Sequence, residues 1–187
     1  MEQHRGREIR GRAQNVLGRM YQSGDGVPRN YMQAVKCFRA AAELGDVNGQ
    51  YNLGRMYHRG KEINRNCSEA EKWFRMAAIQ GHEKAQYRLG VLCEKGVGIP
   101  QDIKEAEKWK LKAAQQGEPR AQNYCGVKYA KGKGVQKDFR LAYMWLFLAA
   151  TQGNSRARKN FDLLAERMTP DQLSDANQMI QEWKPKT

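Results

Sequence analysis

A chain of 187 residues, 40% hydrophobic and 28% charged, has material for one large or two small folded domains with a modest core. Its formal net charge of +13 argues for an acidic partner (protein, membrane surface or nucleic acid), with plain solubility as the alternative. The longest apolar run, LAYMWLFLAA at 141–150, falls far short of the roughly 20 residues of a membrane-spanning helix, so no membrane span is expected.

Residues 1–12, MEQHRGREIRGR, form a basic N-terminal segment without an apolar stretch of secretory-signal type. This favours the cytoplasm over the periplasm or secretion, unless residues once preceded Met1. From Ala13 the chain repeats itself without gaps at a shift of 36 residues, in units 13–48, 49–84, 85–120 and 121–156. Each unit opens with a predicted helix in which Leu17, Leu53 and Leu89 recur, Cys125 taking the fourth place. Gly18, Gly54, Gly90 and Gly126 follow, then Tyr21, Tyr57 and Tyr129, with Cys93 as the exception. Leu, Gly and Tyr at i, i+1 and i+4 share one helix side. A mid-helix glycine costs about 1 kcal/mol against alanine, so its recurrence predicts that a neighbouring helix backbone approaches there. Gly24, Gly60, Gly96 and Gly132 end this helix.

A second helix then starts after Asn30, Asn66, Asp102 and Asp138, residue types that cap by accepting orphan amide hydrogen bonds. It carries Ala34, Ala70, Ala106 and Ala142, followed by Trp73, Trp109 and Trp145, with Cys37 in the first unit. Gly45, Gly81, Gly117 and Gly153 stop it. Residues 157–187 read as C-terminal capping helices: ARKNFDLLAERM, then TPDQLSDANQMIQEW with Thr169 as cap, Pro170 in the first turn and Gln172 completing a capping box. A hairpin of this kind cannot bury its apolar face alone, whereas a stack of four can. The apolar YMWLFLAA run suits coverage by the terminal helices, with an exposed dimer contact as the alternative; a monomer is favoured.

The pattern A-x3-LG-x2-Y-x2-G-x-GV, then D-x3-A-x2-W and AA-x2-G, resembles the SEL-one-like (Sel1) repeat, a relative of the tetratricopeptide repeat. The resemblance covers residues 13–156 and implies an all-α fold, a right-handed α-solenoid of stacked helical hairpins. Cys37, Cys93, Cys125 and Glu62 depart from the pattern as packing variants. One cysteine-rich branch of the family ties helices by paired cysteines. The four here, 37, 67, 93 and 125, do not follow that pairing and read as reduced thiols.

Catalysis finds no support. His4, His58 and His82 have no neighbouring ligand at metal spacing, no catalytic or phosphate-binding motif occurs, and no cofactor or metal is expected. Cys37, Cys93 and Cys125 stand at core positions, where thiols are inert. Binding is the use expected of stacked hairpins. The tetratricopeptide resemblance implies that the first helix of each hairpin lines a concave face. The side away from Leu and Tyr then presents twenty positions, of which eight are Lys or Arg and one is acidic, against 33 Lys or Arg in the 187-residue chain. From these the candidate groove takes Arg12, Asn15 and Arg19, then Tyr51, Arg55 and Arg59, then Lys84, Tyr87 and Lys95, and finally Arg120, Asn123 and Lys131. Arginines there could hold carboxylates bidentately while the tyrosine rings pack on a peptide; a merely solvated helix face is the competing account. The expectation is a non-catalytic scaffold that binds another protein through an acidic segment. An inhibitor or immunity-type protein with one cognate ligand is the first alternative. Nucleic acid is the second and weaker one, since no recognisable module or stacking platform is present.

Overall fold

The computed structural model describes residues 2–60 and 63–186. Glu62, the departure in the second turn, lies outside the described residues, as do Met1 and Thr187. Among the described residues ten helices follow one another: α1 Glu2–Ser23, α2 Tyr31–Glu43, α3 Val47–Arg59, α4 Cys67–Ile79, α5 Glu83–Lys95, α6 Ile103–Gln115, α7 Pro119–Lys131, α8 Phe139–Thr151, α9 Ser155–Ala165 and α10 Pro170–Glu182. No strand occurs among the described residues. The basic segment and the first repeat share one helix, α1, because nothing between Glu2 and Ser23 breaks it. First helices begin at Val47, Glu83 and Pro119, two residues ahead of the sequence units, after caps at Asp46, His82 and Glu118. The helices gather into two compact units, the first ending at Ala106 and the second starting at Glu107.

The expected caps of the second helices form. Asn30, Asn66, Asp102 and Asp138 accept amide hydrogen bonds from Gln33, Glu69, Glu105 and Leu141 at 3.1, 3.0, 2.9 and 3.1 Å. Each cap residue also donates its own N–H to the preceding helix, at the carbonyls of Tyr21, Tyr57, Cys93 and Tyr129. One residue therefore starts the second helix and closes the hairpin. Gly60 ends α3 at φ 66° and Gly81 follows α4 at φ 93°, left-handed backbone that glycine adopts without strain.

In the first unit the core holds Ala34, Val35, Phe38, Ala42, Leu53, Met56 and Trp73. The mid-helix glycines admit a neighbouring side chain and, at Gly54 and Gly126, the expected neighbouring backbone as well, since an added Cβ would stand 3.2 and 3.1 Å from the carbonyl oxygens of Ala70 and Ala142. Phe38 lies on Gly18 and Phe74 on Gly54, where an added Cβ would meet the rings at 2.7 and 2.8 Å. In the second unit Leu146 does the same at Gly126, at 2.6 Å. There α9 and α10 cover the apolar α8: Leu146 and Ala149 pack with Leu164, Met168 and Ala176. Trp183 meets the edge of Trp145 at 6.3 Å. Thr169 and Gln172 make the expected capping box.

A polar ladder runs through the apolar packing. Gln50, Gln86 and Gln122 are 1%, 2% and 0% exposed. Each donates to a carbonyl of the preceding second helix, at Ala42 (3.4 Å), Ala78 (3.1 Å) and Ala114 (3.3 Å). Gln80 and Gln152 in turn donate to the oxygens of Gln50 (2.8 Å) and Gln122 (2.9 Å). Gln50→Leu keeps the volume and removes both bonds, so a loss of about 1–2 kcal/mol is expected. A urea transition whose midpoint falls while its slope is unchanged would show it.

Candidate protein-binding surface

The twelve candidate residues divide between the two units. In the first, Arg12, Arg19, Arg59, Lys84 and Lys95 are exposed, whereas Tyr51, Arg55 and Tyr87 are half-buried. Asn15 is buried at 8% exposure and accepts from the Asn52 side chain at 2.9 Å, so it joins α1 to α3. In the second unit Arg120 and Lys131 are exposed, and Asn123 accepts from Asn160 at 3.1 Å in the same relation. Two of the candidates thus spend their side-chain oxygens on joining consecutive first helices.

The cations differ in how much of their charge is answered. Arg12 pairs with Glu8 one turn earlier at 2.8 Å, and Arg120 lies 4.0 Å from Glu118. Among the described residues, Arg19, Arg59, Lys84, Lys95 and Lys131 form no salt bridge. By contrast, Arg75 on the second helix α4 is held by Glu71 at 2.5 Å and Glu105 at 2.6 Å. Pairing is partial on both kinds of helix: among the described residues Arg75 and Arg140 on second helices have acidic partners, whereas Lys36, Arg39, Lys72, Lys104, Lys108 and Lys112 form no salt bridge.

Tyr51 anchors the middle of the first unit. Its ring stacks on His82 at 4.5 Å and lies 5.9 Å from Phe74, and the Arg55 guanidinium sits over it at 5.6 Å. His82 is no surface residue. It caps α5 through Nδ1, which accepts from the Ala85 amide at 3.3 Å. Only a neutral imidazole can accept in this way, and burial pushes its proton affinity below the ordinary value, with Lys84 adding and Glu83 opposing. The unfolded chain therefore binds this proton first, and stability falls as the pH drops below about 6.5. His82→Asn keeps a good cap without a titrating group. Its urea midpoint is expected to fall less than that of the parent chain between about pH 7.5 and pH 5.

The thiols are free, with Cys37, Cys93 and Cys125 buried and Cys67 half-buried. Burial raises Cys93 to about 11 and Cys125 to about 12, away from nucleophilic use. Among the described residues no group of His, Cys, Asp or Glu is placed to hold a metal.

Sequence reasoning missed three features. The caps at Asp46, His82, Glu118 and Asn154 recur every 36 residues in four residue types, so no single letter marks them. The buried glutamines were visible as Gln50, Gln86 and Gln122 in one register. Lys110, which stands where Phe38, Phe74 and Leu146 stand, is 2% exposed, with its ammonium 4.0 Å from the centre of the Tyr124 ring.

Comparison with known proteins agrees with this architecture. The Sel1 repeat family model matches residues 11–46, 47–82, 83–118 and 119–154, the register in which the first helices begin. A Sel1 repeat protein from Oxalobacter formigenes is 34% identical, over 90% of this chain and 70% of that one, with a TM-score of 0.75. The antigen c5321 of uropathogenic Escherichia coli, which displays an SLR fold, is 27% identical over 92% of this chain and 45% of its own, with a TM-score of 0.63. The immunity protein Pa5087 of Pseudomonas aeruginosa is 21% identical over 79% of this chain and 54% of its own, with a TM-score of 0.53, and shows the fold alone. No curated protein matches the chain. Tandem capped hairpins, glycine-seated side chains and the 36-residue register all agree: the chain is an all-α solenoid that belongs to the Sel1 repeat family.

Proposed function

We propose that this chain is a non-catalytic interaction module that binds an acidic segment of another protein along its first helices. Sel1 repeat proteins are in general scaffolds for protein–protein interaction. The observation that carries the reading further is the basic excess of the first helices: α1, α3, α5 and α7 hold 13 Lys or Arg against 4 Asp or Glu, whereas α2, α4, α6 and α8 hold 9 against 5. Exposed cations on first helices, Arg19, Arg59, Lys84, Lys95 and Lys131, have no acidic partner among the described residues. Within the first unit the unanswered Arg19, Arg59, Lys84 and Lys95 create a positive field that steers acidic ligands and offers them charge-assisted hydrogen bonds. The half-buried Tyr51, held between His82 and Arg55, supplies a rigid ring for apolar contact.

The test is capture of a partner by the tagged full chain, mass spectrometry of what is retained, and hydrogen exchange of the reconstituted complex. The reading expects an acidic stretch in the partner, binding that weakens as salt rises above about 0.15 M, and protection on α1, α3, α5 and α7. Protection confined to the second helices would overturn it. A single stoichiometric ligand of enzyme or effector type would favour the inhibitor role.

A further inference from the structure

In the first unit, α1 lacks a covering that α3 and α5 have. Gly49, Leu53 and Met56 of α3 are buried, as are Ala85, Leu89 and Leu92 in the same register of α5. The preceding second helix covers them. A Cβ on Gly49 would stand 2.6 Å from that of Ala41, Leu53 and Met56 share a core with Ala42, and Gln86 donates to Ala78 at 3.1 Å. In α1 the register falls on Ala13, Leu17 and Met20, and no second helix precedes it among the described residues. Ala13 is exposed, and Leu17 and Met20 are half-buried. Ile9 and Val16 are 60% and 54% exposed. Ile9, Ala13, Val16 and Met20 follow at i, i+4, i+7 and i+11, which is one continuous apolar stripe. Gln14, in register with Gln50 and Gln86, makes no side-chain hydrogen bond among the described residues. The first rung of the ladder has no carbonyl to hold.

Ile9 supplies the reason. It stands in the register of Gly45 and Gly81, whose left-handed backbone (φ 91° and 93°) leads a second helix into the next first helix. A β-branched residue does not adopt that backbone without strain. So α1 runs straight through Ile9 and Arg10, where the later repeats turn and place the caps Asp46 and His82. The turn that elsewhere delivers the covering helix is not formed here.

The margins of the stripe select what fits it. Arg5 and Arg12 flank it on one side and Arg10 on the other, by helical spacing. Arg12 is paired with Glu8, whereas Arg5 and Arg10 form no salt bridge among the described residues. The whole of α1 holds five arginines against two glutamates. A second copy of the chain would set arginine against arginine, whereas an acidic helix meets opposite charge.

We propose that Ile9, Ala13, Val16 and Met20, between Arg10 and Arg12, dock an acidic amphipathic helix of a partner protein. It lies on α1 as α2 lies on α3, and one of its backbone carbonyls receives the Gln14 amide. This site lies beside the groove and does not depend on it.

Backbone and side-chain amide NMR of the full chain tests the site with three probes. One is a peptide of residues 66–80 carrying Cys67→Ser, Lys72→Glu and Arg75→Glu, which keeps the Ala77–Ala78 pair of α4 and is acidic. The others are a scrambled peptide of the same composition and vesicles of phosphatidylserine and phosphatidylcholine. The acidic peptide is expected to shift the amides along α1 and the side-chain amide of Gln14. Val16→Asp, at an exposed position, should weaken it about tenfold with an unchanged urea midpoint. Arg5→Gln together with Arg10→Gln should weaken it by a smaller factor, and less so at high salt. Equal binding of the scrambled peptide, or shifts that leave α1 and Gln14 unmoved, overturn the site. Vesicle binding without peptide binding makes this face a membrane contact and overturns the helical partner. A dimer in sedimentation that Val16→Asp dissociates overturns it in favour of a second copy.

Discussion

Phe74→Ala is expected to lower stability by about 3–5 kcal/mol, more than any other single truncation considered. The side chain is 0% exposed and lies directly on Gly54. Tyr51 and His58 lean on it at 5.9 and 6.4 Å. A glycine has no side chain with which to refill the hole, so little relaxation offsets the lost contacts. The same geometry sets the sign of a second change. Gly54→Ala alone drives its new Cβ to 2.8 Å from the ring and should destabilise, although alanine favours the helix. In the Phe74→Ala background the ring clash is gone and only the Ala70 carbonyl, 3.2 Å from the new methyl, remains, so Gly54→Ala should cost less there than in the parent chain. A double-mutant cycle from urea transitions measures the coupling; additive effects would show that ring and glycine do not meet in solution.

Arg19→Glu, Arg55→Glu and Arg59→Glu together are expected to weaken the captured partner about a hundredfold or more while helicity stays unchanged. Arg19 and Arg59 have no salt bridge among the described residues, so reversing them breaks no ion pair of the fold. Arg55 lies over the Tyr51 ring and donates to Asn52 at 3.5 Å, so its reversal also tests whether the tyrosine platform needs its cation. Titration calorimetry at two salt concentrations is the measurement. The parent chain should lose affinity with salt, and the triple variant should lose its salt dependence with its affinity. Unchanged affinity would count decisively against the groove.

The scaffold was legible in the sequence because its rules are local. A capping Asn or Asp, an apolar face and a terminal glycine act within one or two turns, and they recur at one period. Asn30, Asn66, Asp102 and Asp138 could therefore be assigned without knowing what packs on what. The buried glutamines were not, since a polar residue reads as surface unless its acceptor is known, and the acceptor sits eight residues earlier on another helix. Lys110 escaped for a related reason: nothing in its surroundings in the sequence announces that a core position has passed from Phe to a cation. Among the candidate residues, helical spacing identified the exposed cations of the first helices.

The glutamine ladder has a consequence for how such a chain can change in length. Each amide finds its carbonyl because two successive hairpins stand in one fixed phase, and the partner is always eight residues upstream. Insertion or loss of a complete repeat preserves that phase everywhere and merely adds or removes a rung. Gain or loss of one residue within a second helix turns the carbonyl away and strands a polar group in the interior, so the array can evolve in whole steps and resists drift by single ones.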